Sequence, residues 1–357
     1  MPPPRHALTS PSLSLASAPK TAVIVGWTAS AQGIARRLAQ LGCARIIVCV
    51  DSNGDNGEGI IPKARQKTEA EIVKEVTSGA AGVEVSVIHG DLSDVKGIRA
   101  VVASIKAAVG HHDGAEAGID YLVLAQISAP TGSVENLNAE GHDPVFTAQC
   151  IARFAIPYLL ASSSPSSPHS QPPTTSTPTS TSTKSFLAPT AVILSIYYHW
   201  GHTLDDLTVE DLSLKRIYGE GKLSTTNMYK TQMRRDCTVL DGINEEFNLR
   251  FPQYRYYSLF PSLVKGDFNA REFPTYLKAV VWLGSKLAAV SPEEFAHAPV
   301  YLLASPPSTL DHTVGSDRFL DHGLNCVGDG VKGQWVRNRA NTEKLWAKMV
   351  EIVGVDT

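Results

Sequence analysis

A tyrosine and a lysine stand four residues apart in Tyr218-Gly-Glu-Gly-Lys222. On a helix that spacing puts both side chains on one face, about one turn from each other. An ammonium beside a phenol favours the phenolate and lowers the tyrosine pKa from near ~10 toward working pH. A phenol tuned in this way can give a proton to a carbonyl oxygen or take one from an alcohol. Helix surfaces carry such pairs by chance, so the chemistry depends on the elements that present them.

The first such elements lie at 21–51. Residues 21–25 are a short apolar, β-branched run, as in a strand buried on both faces. The small-residue loop Gly26-Trp-Thr-Ala-Ser-Ala-Gln-Gly33 follows, then apolar side chains at helical spacing over 34–41, closed by Gly42. A second buried strand over 45–50 ends at Asp51. Where a strand feeds a glycine-containing turn into a helix, free backbone N–H groups and the helix dipole can hold a pyrophosphate. An acid at the tip of the second strand can accept hydrogen bonds from the adenosine ribose. The same pattern also serves as the first βαβ unit of an α/β protein that binds no nucleotide.

The alternation continues. A Gly/Asn/Asp-rich loop at 53–59 precedes a helix of alternating charge over 64–77 and a strand over 84–89. Asp91, in Asp91-Leu92-Ser93, reads either as the N-cap of the next helix or as a contact to an adenine amino group. A helix is expected over 95–109, a strand over 119–125 followed by Gln126, and a largely apolar helix over 146–161. Residues 162–185 are almost entirely Ser, Thr and Pro and cannot bury apolar area, so they read as a disordered insertion. The pattern resumes with strands at 191–196 and 255–260 and helices at 218–247, 279–289, 292–304 and 342–353. The expected fold is therefore α/β, a single doubly wound parallel sheet, Rossmann-like, with helices on both faces. One domain spans 20–357, behind a disordered tail at 1–19 whose composition also permits a transit peptide.

Composition bounds the partners. With 357 residues, 43% hydrophobic and 19% charged, the chain can bury a sizeable core. A formal net charge of −3 argues against nucleic acid or an anionic membrane as the main partner. Five scattered cysteines without a Cys-x-x-Cys pair read as reduced thiols, which points to a cytoplasmic protein, with a mitochondrial one as the alternative. No apolar run reaches the ~20 residues of a membrane span. His111, His112, His199 and His202 lack partners at ligand spacing, so no metal is expected. Asp205, Asp206, Glu210 and Asp211 read as a polar surface segment and a helix start.

The motifs resemble those of short-chain dehydrogenases/reductases, in the branch of retinol-dehydrogenase-like and WW-domain-oxidoreductase-like enzymes. Tyr218-Gly-Glu-Gly-Lys222-Leu-Ser224, Asn227 and Met233-Arg-Arg235 resemble that branch's Tyr-x-x-Ser-Lys-Leu-Ala-Asn run into Glu-Leu-x-Arg-Arg. Ser195-Ile-Tyr-Tyr-His199, Asp205-Asp-Leu207 and Leu259-Phe-Pro261-Ser-Leu-Val264 resemble further segments, as do Ser291-Pro-Glu-Glu294 and Tyr301-Leu-Leu-Ala304. The resemblance implies a NAD(P) cofactor held by Gly26, Ser30, Gly33, Ile34, Asp51, Asp91, Leu92, Tyr218 and Lys222. It implies catalysis by Tyr218, Lys222 and Ser195 on a small-molecule carbonyl or alcohol. Asp51, with no arginine beside it, favours NAD over NADP.

The departures are specific. Trp27 and Ala31 replace two of three glycines, Gln149 stands for the helix asparagine, and Ile196 takes the serine position. Ser195 is then one place early and would face away unless the strand bends, which leaves Tyr197 or Tyr198 as other hydroxyls. Two classes follow: an oxidoreductase, or a degenerate member of the fold acting as a nucleotide-binding or scaffold module.

Overall fold

The computed structural model describes residues 15, 19–52, 67–110, 118–127, 137–162, 185–197, 204–216, 225–267, 275–314, 318–327 and 332–354. Seven strands lie in one parallel sheet of order β3-β2-β1-β4-β5-β6-β7. They are β1 (Thr21–Val25), β2 (Arg45–Asp51), β3 (Glu84–Gly90), β4 (Ile119–Leu124), β5 (Leu187–Ile196), β6 (Arg255–Phe260) and β7 (Phe319–Asp321). Every neighbouring pair is parallel. Parallel neighbours need crossovers, so helices cover both faces and the strands read as continuous apolar runs.

The two faces separate cleanly by residue parity. Ala22, Ile24, Ile46, Val48, Leu194 and Ile196 join one core with α1 (Ala29–Gln40), α2 (Glu69–Thr77) and α7 (Pro292–Ala304). Val23, Val25, Ile47, Leu122, Leu124, Ile193 and Tyr197 join the other. That second layer holds α3 (Val95–Val109), α4 (Pro144–Ala161), α5 (Thr225–Arg250), α9 (Gln334–Arg337) and α10 (Arg339–Val353). Two further helices complete the described set, α6 (Thr275–Leu287) and α8 (Pro307–Thr313).

Helix starts follow local capping chemistry. Thr28, Asp94 and Ser291 accept from backbone amides of α1, α3 and α7, and Thr68 with Glu71 closes a capping box on α2. The cap of α3 is thus Asp94, not Asp91, whose carboxylate accepts from Ser93 N at 2.7 Å instead. Helix α1 begins earlier than its apolar periodicity suggested, because Thr28 caps it inside the small-residue loop. Helix α2 begins later than 64, and 61–66 lie outside the described residues. β7, only three residues long, gave no sequence signal.

Helix α4 is regular at both ends but holds a π turn at Thr147–Ile151. It is long and apolar enough to cross a membrane, yet most of it is buried against the sheet, as a core helix is. At the far side α10 seats Trp346 between α4 and α5, with ring centroids 4.9 Å from Phe154 and 5.1 Å from Phe247. The buried Glu246 carboxylate is matched by Thr342 Oγ1 at 2.7 Å, Arg339 at 2.8 Å and Arg250 at 2.8 Å. Residues 163–184, the core of the expected insertion, lie outside the described residues, as do 1–14. On either side of the insertion, Phe186 N donates to Leu160 O at 3.0 Å, so the chain leaves and returns at one place.

Candidate active site

In a parallel doubly wound sheet the carboxyl ends of the strands form the crevice where ligands bind. At the end of β1, Gly26 takes φ +88°, and its N–H donates to Cys49 O at 2.9 Å. A side chain there would also strike Gln126 N at 2.5 Å, so only glycine fits this turn. Trp27, half-buried, follows it, and Thr28 Oγ1 accepts from Ala31 N at 3.2 Å and meets Ser30 Oγ at 2.9 Å. Ser30, Ala31 and Ile34 are fully buried. Gly33 has a packing role: a Cβ would come within 2.1 Å of Pro292 O, where α7 crosses α1.

Asp51 ends β2 beside Gly90 and is buried. Leu92 belongs to the core. The end of β1 is therefore bordered by one acid, one turn glycine and a helix N-terminus, which fits the adenosine half of a dinucleotide. The first turn of α1 is itself occupied by a side chain. Ser30 N, in the first turn of α1, donates to Asp267 Oδ1 at 2.8 Å, from a turn 237 residues away.

On the other layer the ends of β4 and β5 are held by Arg153. Its guanidinium, fully buried, donates through Nη2 to Gln126 O at 2.5 Å and Ile196 O at 2.7 Å. Its Nη1 donates to Gln149 O at 2.8 Å, a carbonyl inside the π turn. Burial pushes the Arg153 pKa down, and among the described residues no carboxylate pairs with it. π turns recur at functional sites, and this one carries the residue aligned with the helix asparagine of the resembled family.

Ser195 lies on the face of Ile193 and Tyr197, under α4 and α5. It is fully buried, and its hydroxyl lies against the Tyr256 phenol. Burial pushes that phenol up to about 12. Tyr197 is not an open hydroxyl: it donates to Asp241 Oδ1 at 2.7 Å and lies 2.9 Å from Ser258 Oγ. Burial and the Asp241 charge push the Tyr197 pKa well up. Ile196 packs against the opposite layer. Tyr218 and Lys222 lie outside the described residues, as does Tyr198; the described part of α5 runs over Thr225–Arg250.

The four discounted histidines also lie outside the described residues. Asp211 accepts the Arg216 N–H at 3.2 Å in a single 3₁₀ turn, and Asp205 and Asp206 are exposed. Among the described residues no cluster of His, Cys, Asp or Glu could hold a metal. Sequence reasoning missed Arg153 and Asp267. A lone arginine in the apolar run of α4 could have flagged the first; nothing local marks the second.

No family model matches the chain, and no curated protein does. Solved structures do match. A short-chain dehydrogenase/reductase from Serratia marcescens aligns at TM-score 0.50 and 16% identity, over 85% of this chain and 97% of that one. The angucycline C-6 ketoreductase LanV with bound NADP gives TM-score 0.52 and 15% identity, over 85% and 93%. A blue fluorescent protein from a metagenomic library, in complex with NADPH, gives 0.50 and 14%, over 85% and 97%. The fold is that of the short-chain dehydrogenases/reductases. At these identities the likeness is one of fold, and the roles of individual residues rest on this chain's own chemistry.

Proposed function

We propose that this protein is a NAD(P)-dependent oxidoreductase acting on the carbonyl or alcohol of a small apolar molecule. The observation that carries the reading is positional. The carboxyl ends of β2, β1, β4 and β5 lie side by side in the sheet, with Asp51, Gly26, Gln126 and Ser195 at or just beyond them, and α5 follows Lys222 in the chain. The motif matches favour the retinol-dehydrogenase-like branch within that fold.

In this reading Tyr218 moves the proton at the substrate oxygen, and the Lys222 ammonium lowers its pKa. A bound nicotinamide supplies or accepts the hydride. Asp51 accepts from the ribose hydroxyls, and its charge disfavours a 2′-phosphate. Ser195, fully covered in this structure, would orient the substrate oxygen only after the layer over it opens. Support for an apolar substrate comes from α6, which lies against the turn after β6 and exposes Trp282 at 58%, Leu283 at 50% and Leu287 at 79%. Apolar side chains left open beside a site are what a bulky apolar ligand would cover.

Isothermal titration with NADH and NADPH, on the unsubstituted protein and on Asp51→Ala, tests this. We expect NADH to bind more tightly and Asp51→Ala to erase the difference. Tighter NADPH binding would reverse the preference, and no binding of either would remove the oxidoreductase reading.

A further inference from the structure

The N-terminus of α1 already holds an anion, and that anion belongs to the chain. A helix leaves its first amides without intrahelical partners, and their partial positive charge attracts a carboxylate or a phosphate alike. Here Ala31 N is taken by the Thr28 hydroxyl and Ser30 N by Asp267 Oδ1. Ser30 and Asp267 are both buried, so the carboxylate is seated rather than passing over the surface.

The turn that delivers Asp267 is built to reach this place. Val264 bridges to Val290, with Lys265 N donating to Val290 O and Val290 N to Leu263 O, each at 2.9 Å. That clips the turn to the residue just before the cap of α7. Asp267 N closes the turn on Val264 O at 3.2 Å. Between them Gly266 takes φ +99°, and a Cβ there would press on Ala29 Cβ at 3.0 Å. The one residue that can turn freely thus sits beside the contact, while the stem behind it is fixed.

We infer that Asp267 competes with the dinucleotide's pyrophosphate for the first turn of α1 and so sets how tightly the cofactor binds. Two negative groups cannot share one set of amides in a buried position without strong repulsion. The cofactor therefore enters with Asp267 released from Ser30, by rotation about Gly266. This rests on the dinucleotide reading above, and the experiment separates the two.

Asp267→Asn keeps an oxygen that can cap Ser30 and removes the charge. By isothermal titration we expect the variant to bind NADH and NADPH at least about tenfold more tightly, with adenosine, which has no phosphate, unaffected. Inorganic pyrophosphate should raise the melting temperature of Asp267→Asn more than that of the unsubstituted protein. On the unsubstituted protein, hydrogen exchange in residues 264–267 should accelerate when NADH is added. Equal or weaker nucleotide binding by the variant, with exchange unchanged, would assign Asp267 to capping alone and overturn the inference. If neither protein binds NADH or NADPH while pyrophosphate still stabilises the variant selectively, the dinucleotide reading falls and the competition by Asp267 stands. Equal stabilisation of both by pyrophosphate overturns the competition.

Discussion

Tyr218 and Lys222 carry the proposed chemistry through spacing alone, and substitution can separate their proposed roles. In the proposed mechanism the phenol would serve the substrate oxygen, and the ammonium would serve the phenol and the ribose together. Tyr218→Phe is therefore expected to abolish turnover of a reduced or oxidised substrate while nucleotide affinity stays near normal. Lys222→Ala should lower both. Steady-state rates beside nucleotide titration of each variant measure this, and near-normal turnover by Tyr218→Phe would refute the assignment. Arg153 adds a residue-scale constraint of another kind. Its three backbone acceptors lie just beyond β4, at the end of β5 and in the π turn, so one side chain ties three segments together.

At the scale of elements, the contact that decides the site's shape is α1 against α7. Gly33 lets the two helices close to backbone distance, with the Cβ position 2.1 Å from Pro292 O and 2.6 Å from Pro292 C. No side-chain rotation can relieve a clash with a carbonyl, so Gly33→Ala must push α7 away. Overpacking of this kind costs about 1–3 kcal/mol. The expected result is a lower melting temperature with unchanged far-ultraviolet dichroism, together with weaker nucleotide binding, because the turn bearing Asp267 is clipped to Val290, just before the cap of α7. An unchanged melting temperature would mean that the two helices separate freely.

Across the whole molecule, β4 and β5 pair directly in the sheet, one preceding and the other following the Ser/Thr/Pro-rich stretch in the chain. Leu160 and Phe186, on either side of it, are joined by a backbone hydrogen bond, and Ser185 Oγ also meets Leu160 O at 3.3 Å. Removing residues 164–183, expected from composition to be a disordered insertion, shortens a segment whose flanks are already fixed together. Loop-closure entropy changes by only about 0.6 kcal/mol per doubling of length. The deletion should therefore leave the melting temperature nearly unchanged by calorimetry. A large fall would show that the segment packs on the domain.

The alternation of strands and helices was legible in the sequence because it depends on neighbours. A buried parallel strand is a short β-branched run, a helix repeats its apolar residues every third or fourth place, and a hydroxyl or acid marks the start. The same is true of the Tyr218 and Lys222 spacing and of Asp51 at a strand tip. What the tertiary structure alone decided joins residues far apart in the chain. Ser195 faces α4 and α5 because β5 pairs in that register with β4 and β6. The Tyr197 hydroxyl is consumed by Asp241, 44 residues on, and Arg153 reaches Ile196, 43 residues on. Asp267 reaches Ser30 across 237 residues. Periodicity assigns a residue to a face of its own element; only packing decides which other element's charge comes to rest against it.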